Sequence, residues 1–330
     1  MRRIIFAFVL LICGSVQAQI LPSFGGSRSG TTGMQFLKLG VDARSSGMSG
    51  NVVASTNDVA SLWWNPAGIA QLDSSRLHVL AAHTQYFADI PVNALGIVKQ
   101  RKGTYFGLSL FSLNTGQMPL TTEFQPFGTG QTFSVNDFVA GLTFAKSLTR
   151  QFNFGMTAKY ARENIAGLTN QNFLVDLGFQ YDIGWQNTRF AVTISNFGVN
   201  NQPTGTWTST SLNGPLTQKD FEEMGVPAVF RFGIAWDAIR TEQQVLTATA
   251  QLNHPTDNKE TFGLGAEYRF NQVLYARTGY EFGMDEAFVP SFGAGLWMPR
   301  SFGKIKFDYG YQSKSRLGNV HRITLQMNIL

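Results

Sequence analysis

The sequence has little of what enzymes and disulfide-stabilised proteins depend on. It contains one cysteine, four histidines and only 14% charged residues, against roughly 25% in an average soluble protein. One cysteine excludes a disulfide framework. The dispersed histidines form no His-Glu-x-x-His motif, and Gly-x-Ser-x-Gly is also absent, so we expect neither enzymatic activity nor a cofactor. The net charge of +5 is not clustered, which argues against a nucleic-acid partner.

Long apolar runs are also missing beyond the N-terminus. There, two arginines precede about nine apolar residues, and Val16–Ala18 offers small residues for cleavage. This pattern predicts a signal peptide over residues 1–18, which is too short to cross a bilayer as a helix. A lipid anchor on Cys13 is the alternative, which the bulky residue before it disfavours.

Strict alternation of apolar and polar residues is what the sequence does have. The closing segment Arg322–Leu330 places its apolar residues on one face and its polar residues on the other, as a strand does. About fourteen such segments follow residue 75, each about 9–11 residues long, whereas soluble sandwich strands average about five or six. The mean hydropathy of −0.06 is near zero, as expected when apolar and polar residues alternate along the strands of a barrel. These features predict an all-β transmembrane antiparallel barrel over residues 75–330, in the outer membrane and facing lipid.

The predicted connections alternate between short turns and longer loops, as in outer-membrane barrels. The longest are Asn114–Thr132 and Phe197–Val226, here called the first and second long loops. Their aromatic residues suit a protein-binding surface, although loops that only fold over the barrel mouth are an equal alternative. The candidate partner-binding residues are Phe124, Phe127, Trp207 and Phe221.

Charged residues on the inner faces of the predicted strands carry both signs. Because unpaired charges there are costly, we expect them to form a structural network of pairs. They are Asp176, Asp182, Arg231, Asp237, Glu267, Arg269, Arg277, Glu281, Lys304 and Asp308.

Residues 19–74 precede the first strand and are rich in glycine and serine. Backbone outside regular structure must avoid lipid, so we expect this segment to act as a hatch inside the barrel. Asp58 can cap a short helix through Trp63, which Pro66 and Gly68 would end. Seven residues are expected to serve structure here: Gly40, Arg44, Gly47, Gly50, Asn65, Pro66 and Gly68.

The run FLKLGVDARSSGMSGNVVASTNDVASLWWNPAGIA, residues 36–70, resembles the opening of the PorV/PorQ family of outer-membrane proteins. That family is similar to FadL-type transporters, which share the Asn-Pro-Ala-Gly element after a short helix. The resemblance implies a fourteen-stranded barrel with an N-terminal hatch and a role in type IX protein secretion.

By this resemblance, the partners are the secretion translocon or the C-terminal signal domains of secreted cargo, which the protein would bind or shuttle. Outer-membrane lipid surrounds the barrel. The alternative function is a FadL-like channel for uptake of hydrophobic small molecules. It predicts an apolar path through the hatch and a lateral opening in the barrel wall.

Overall fold

Fourteen long strands close into an antiparallel barrel, as the alternation predicts. Each pairs with its neighbour along the chain, and the first strand pairs with the last, Leu77 opposite Ile329. Closure leaves no free sheet edge. The computed structural model describes residues 30–73, 76–211, 214–283, 289–300 and 303–329.

The strands fall into two groups: fourteen form the barrel, and two short hairpins, β4–β5 and β10–β11, lie in the long loops. In chain order they are β1 (Leu77–Gln85), β2 (Pro91–Arg101), β3 (Thr104–Asn114), β4 (Met118–Pro119), β5 (Thr132–Phe133), β6 (Val135–Ser147), β7 (Phe152–Ile165), β8 (Leu168–Asp182), β9 (Arg189–Gly198), β10 (Trp207–Ser211), β11 (Gly214–Gln218), β12 (Val229–Arg240), β13 (Gln244–Pro255), β14 (Thr261–Phe270), β15 (Leu274–Phe282), β16 (Ser291–Arg300), β17 (Gly303–Ser313) and β18 (Asn319–Ile329).

The closing strand β18 shows which face of the sheet points outward. Ile323 and Leu325 are 45% and 38% exposed, whereas Thr324 and Gln326 between and after them are buried. The apolar residues therefore form the outer surface, and the polar residues face a filled lumen. This inversion of the usual arrangement is what a membrane barrel requires.

Short turns lie at one end of the barrel and most of the longer connections at the other. Residues 102–103 join β2 to β3 and residues 271–273 join β14 to β15, whereas β3 to β6 and β9 to β12 span the long loops. One connection at the long-loop end is short, because Ala166 and Gly167 with positive φ values close a tight turn between β7 and β8. These two strands are the longest, at 14 and 15 residues.

Residues 30–73, here called the lumen segment, pack against the inner face of the strands. The amide of Ala43 donates to the hydroxyl of Thr324 at 2.9 Å, and the backbone of Pro66 lies directly against Gly155. Five-residue and four-residue helices (Ala43–Gly47 and Ser61–Trp64) and 3-10 turns (Gln35–Lys38 and Pro66–Gln71) form the segment, and further 3-10 turns lie at Phe87–Asp89, Trp185–Asn187 and Ser315–Leu317.

The helix expected from Asp58 begins later than predicted. Asp58 accepts from the amide of Ala60 at 3.1 Å, but the helix itself is Ser61–Trp64 with Ala60 as its N-cap. The Asp58 carboxylate also binds Arg44 at 3.4 Å and is therefore held outside the helix. The helix ends at Trp64, just before Pro66 as predicted, and Pro66 also starts a 3-10 turn that runs past Gly68 to Gln71.

The lumen segment has an apolar side and a charged side. Its apolar side packs against the inner faces of β1, β2, β3 and β6, where the rings of Phe36 and Phe111 stack with centroids 5.9 Å apart. Its charged side faces β14, β15 and β17. The segment boundary at residue 74 stays a prediction, and the signal peptide predicted over residues 1–18 lies outside the described residues. Among the described residues, none of the helices is long and apolar enough to span a membrane.

Candidate functional site in the barrel lumen

An N-terminal helix cap holds the charged side of the lumen segment in place. The carboxylate of Asp42 accepts from the amide of Ser45 at 2.8 Å and from the indole nitrogen of Trp64 at 2.8 Å. Burial, together with the charge of Asp58, raises the pKa of Asp42 above its usual value, although these hydrogen bonds oppose the rise. The cap orients the helix Ala43–Gly47 so that Arg44 points toward β14.

Arg44 begins a closed ring of alternating charges, here called the ion-pair ring. Its Nε and Nη2 donate to the two oxygens of Glu267 at 2.9 and 3.1 Å, and its Nη1 donates to Asp58 at 3.4 Å. Such two-point contacts are the geometrically specific form of an arginine–carboxylate pair. The ring comprises Asp58, Arg44, Glu267, Arg277, Asp308 and Lys306.

The other half of the ring closes through the barrel wall. Arg277 binds Glu267 at 2.5 Å and Asp308 at 2.7 Å, and Lys306 lies 3.4 Å from Asp308 and 3.6 Å from Asp58. Three acids and three bases cancel, so the ring carries no net charge. Two of its members belong to the lumen segment and four to the wall, which ties the two together.

The ring shifts the pKa values of its two members in the lumen segment. Burial acts to lower the pKa of Arg44, but the carboxylates of Glu267 and Asp58 outweigh burial and raise it. Burial acts to raise the pKa of Asp58, but the charges of Arg44 and Lys306 outweigh it and lower that pKa. Both shifts keep the groups ionised.

The expectation of a paired network holds for part of the inward charges. Asp176 pairs with Lys159 at 2.5 Å and Asp237 with Arg240 at 2.9 Å, in addition to the ring. It is wrong for Arg231, Arg269 and Lys304, which form no ion pair with any carboxylate of the described residues. Asp182 accepts a hydrogen bond from the amide of Gly184. Glu281 accepts hydrogen bonds from Asn253 and Thr261.

The Asn-Pro-Ala-Gly element anchors the lumen segment on β7 and β8. Asn65 caps the following 3-10 turn by accepting from the amide of Ala67 at 3.1 Å, and its Nδ2 donates to the carbonyl of Val53 at 2.9 Å. Pro66 and Asn65 approach β7 and β8 at Gly155 and Gly178, where a Cβ would overlap them. The close approach therefore requires glycine at both wall positions.

The four predicted glycines serve two kinds of contact. Gly40 and Gly50 lie against the edge of the Trp64 ring, and Gly50 has a φ of +78°. Gly47 packs on the backbone of β16, where an added Cβ would lie 2.8 Å from the Cα of Gly293, and Gly68 packs against the carbonyl of Thr56 at 2.6 Å by the same measure. All seven expected hatch residues thus lie within the lumen segment, and none of these contacts assigns one a chemical role.

Two cavities lie at opposite ends of the lumen segment. The outer cavity, about 480 Å³, lies at the long-loop end and is bordered by Trp64, Arg231 and Arg322. The inner cavity, about 450 Å³, lies at the short-turn end beside the ion-pair ring. Arg322 has the same strand parity as the inward residue Thr324, so alternation alone could have identified it as inward-facing.

The four aromatic residues proposed for partner binding do not form one cluster. Phe127 is fully exposed and Phe124 is 57% exposed at the tip of the first long loop. Trp207 and Phe221 of the second long loop instead line an apolar cavity of about 340 Å³ between the loops. The remaining lining residues are Leu120, Phe133, Ile165, Ala166 and Leu168.

Metal ligation finds no support in the geometry. Within the described residues, no three His, Cys, Asp or Glu side chains gather as a metal site. Asp257 accepts hydrogen bonds from Thr32 at 2.5 Å and Gln35 at 2.7 Å and pairs with Lys38 at 3.0 Å. It therefore fastens the start of the lumen segment to the wall.

Comparison with known proteins identifies the family. The model of the type IX secretion system protein PorV matches residues 25–256. The chain belongs to the PorV family. The resemblance seen in residues 36–70 is thereby confirmed, and with it a place in type IX secretion. A search of curated proteins finds no significant match.

Solved structures similar to this PorV-family chain are FadL-type barrels. The Ralstonia pickettii toluene transporter TbuX has a TM-score of 0.63 at 14% identity, covering 88% of this chain and 97% of its own. The Pseudomonas putida toluene transporter TodX gives 0.58 at 15%, covering 88% and 97%. A Pseudomonas aeruginosa FadL homologue gives 0.55 at 11%, covering 88% and 98%. Identities this low establish a shared fold only.

Proposed function

We propose that this PorV-family protein is a non-enzymatic outer-membrane barrel that binds secreted cargo or a translocon component through its two long loops. The family match over residues 25–256 is the observation that carries the proposal. Exposed Phe127 and Phe124 support it, because aromatic residues are enriched in protein-binding surfaces. The outward apolar face, with Ile323 and Leu325 exposed, supports placement in lipid.

The contacts of the lumen segment favour a binding role over transport. Arg44 and Asp58 are held by the ion-pair ring, and Pro66 is seated against glycine in the wall. Moving the lumen segment aside for a small molecule would separate these ion pairs, and leaving a buried charge without its partner costs about 3–5 kcal/mol. A protein that works through its outer loops needs no such movement.

The histidines support a role without catalysis. His78 binds Asn328 at 3.0 Å, His83 binds Asn93 at 2.8 Å and His321 binds Tyr309 at 2.7 Å. The fourth, His254, pairs with Glu260 at 3.0 Å. Contacts of this kind orient an imidazole within the fold and need no catalytic role.

The test is affinity purification of the full-length protein from outer membranes, followed by mass spectrometry. We expect a translocon component, a surface-attachment component or cargo to be recovered, and cargo to accumulate in the periplasm when the gene is deleted. Recovery of the barrel alone, with cargo still reaching the surface in the deletion strain, would contradict the proposal.

A FadL-like channel is the second candidate, favoured by the similarity of the barrel to the toluene transporters TbuX and TodX. It predicts that deletion abolishes uptake of a hydrophobic small molecule while surface proteins are unaffected. The same deletion strain therefore separates the two functions, because each predicts a defect that the other does not.

A further inference from the structure

The outer cavity is unusually basic. Among the described residues, its charged lining consists of five cations and one acid, Glu281. Lys38 is already paired with Asp257, and Glu281 accepts hydrogen bonds from Asn253 and Thr261. The positively charged residues are Lys38, Arg231, Lys259, Lys314 and Arg322.

Two arginines of the wall border this cavity without pairing directly with a carboxylate of the described residues. Arg322 is buried, with 3% of its surface exposed. Its Nε donates to the carbonyl of Gly40 at 3.2 Å, and its Nη1 donates to the side chain of Gln312 at 2.7 Å. Arg231 donates to the hydroxyl of Ser195 at 3.0 Å. Neither guanidinium forms an ion pair with a carboxylate of the described residues.

Trp64 connects the two arginines through the lumen segment. The guanidinium of Arg231 lies 5.7 Å from the centre of the Trp64 ring. The edge of the same ring lies against Gly40, whose carbonyl accepts from Arg322. Packing and hydrogen bonds therefore position both arginines, Arg231 over the face of Trp64 and Arg322 on the residue at its edge. A site so organised loses little entropy when a ligand binds.

A buried guanidinium without a counter-ion is costly, and an anion that pairs with it recovers much of that cost. We infer that the outer cavity binds a carboxylate of an acidic peptide segment, held between Arg231 and Arg322. A peptide fits better than a long-chain amphiphile, because polar Ser49, Gln251 and Asn253 also line the cavity. Each already forms a hydrogen bond within the protein, but its side-chain oxygen keeps a lone pair that can accept from a peptide N–H. An alkyl chain would instead require a continuous apolar wall.

The position of the cavity fits a partner arriving from outside the barrel. Tyr86, Asn258 and Lys314 line it, and all three belong to connections at the long-loop end. The inference rests on the proposed function only in taking the ligand to be part of a protein. The preference for a carboxylate follows from the arginines alone.

Isothermal titration calorimetry of the full-length protein in a non-ionic detergent tests the inference. The probes are two hexapeptides that alternate glycine with glutamate or with glutamine. We expect the glutamate peptide to bind roughly tenfold tighter or more, the effect of one charge-assisted hydrogen-bonded pair. The variant Arg231→Gln/Arg322→Gln should bind both peptides equally, and Arg231→Lys should retain the preference.

Arg316→Gln is the matched control, because Arg316 lies at the same end of the barrel but outside the cavity lining. It should leave the tenfold preference intact. A heat-dependent gel shift verifies that each variant is folded. Equal binding of both peptides by the unmodified protein, or a preference that survives the double substitution, would overturn the inference. If a secretion partner still co-purifies in that case, the proposed function stands without it.

Discussion

Arg44 of the lumen segment forms a two-point ion pair with Glu267 of the barrel wall, at 2.9 and 3.1 Å. The two residues are 223 positions apart in the chain, so this pair fixes the lumen segment relative to β14. Both side chains are largely buried, at 6% and 13% exposure. The pair is also part of a ring, so removing either partner leaves other charges unbalanced.

We predict that Arg44→Met lowers the free energy of unfolding by about 3–5 kcal/mol, because it leaves buried carboxylates without their partner. Glu267→Gln should also be destabilising. In a double-mutant cycle the two changes should couple by about 1 kcal/mol or more. Urea titration followed by tryptophan fluorescence measures all four proteins. Strictly additive effects would show that the pair does not link the segment to the wall.

Arg76→Met provides the control for that cycle. Arg76 pairs with Asp73 at 3.1 Å, but Asp73 is 52% exposed and the pair is local. Exposed ion pairs contribute about 1 kcal/mol or less. A loss for Arg76→Met as large as that for Arg44→Met would mean that burial is not what makes the ring important.

A second prediction concerns how firmly residues 32–38 are attached to the barrel wall at low pH. Burial acts to raise the pKa of Asp257, but hydrogen bonds from Thr32, Gln35 and Lys38 outweigh it and lower that pKa. A carboxyl whose pKa is lower in the folded state stabilises the fold fully at pH values above its unfolded-state pKa of about 3.9. That stabilisation is lost as the pH falls through the pKa of the folded state. Attachment of residues 32–38 should therefore be constant from neutral pH to about pH 4 and weaken below it.

Hydrogen–deuterium exchange of residues 32–38, corrected for intrinsic rates, measures this attachment. Asp257→Asn should show weak protection that no longer changes below pH 4. Asp89→Asn is the control, since Asp89 lies in an exposed turn and contacts Gln85 only at the surface. An acid response that persists in Asp257→Asn would contradict the assignment.

Strand alternation predicted the barrel well because lipid on one side and a polar lumen on the other leave a period-two signature. Ile323 and Thr324 carry that signature plainly. The inward direction of Arg231 follows from it as well. What alternation cannot supply is the partner: Arg277 meets Glu267 and Asp308, whereas Arg231 meets Trp64 and Ser195.

The lumen segment was harder to predict because its structure depends on contacts distant in sequence. The neighbouring sequence predicts that Asp58 caps a helix. In the structure its carboxylate pairs with Arg44 and Lys306, and the helix begins at Ser61. The sequence similarly predicts that Trp207 is an exposed aromatic residue of a loop, whereas it lines a cavity between the two long loops. Neighbouring residues alone do not predict these contacts, because the partners are distant in the sequence.

Glycines in the wall yield a third prediction. An alanine Cβ at Gly155 would overlap the backbone of Pro66, which cannot rotate away as a side chain can. We expect Gly155→Ala to destabilise the protein by about 1–3 kcal/mol, as overpacking does. Gly225→Ala is the control, because its Cβ would lie 3.4 Å from Thr32, an ordinary contact. The temperature at which the compact gel band disappears measures both, and equal temperatures would contradict the prediction.

The last prediction separates the two kinds of aromatic residue in the long loops. Phe127 is fully exposed, so Phe127→Ser should change the free energy of unfolding by less than about 0.5 kcal/mol while reducing recovery of a secretion partner. Trp207 lines the apolar cavity between the loops, so Trp207→Ala should speed hydrogen exchange across both long loops and also reduce recovery.

Leu148→Ser is the matched control for partner recovery. Leu148 is 57% exposed, as Phe124 is, but it lies in the short turn between β6 and β7 at the opposite end of the barrel. If the long loops bind the partner, this substitution leaves recovery unchanged. A similar loss for Leu148→Ser and Phe127→Ser would mean that exposed apolar surface in general, and not the long-loop end, determines recovery. In that case the loops would be covers of the barrel mouth, and the binding surface would have to be sought on the outward face of the strands.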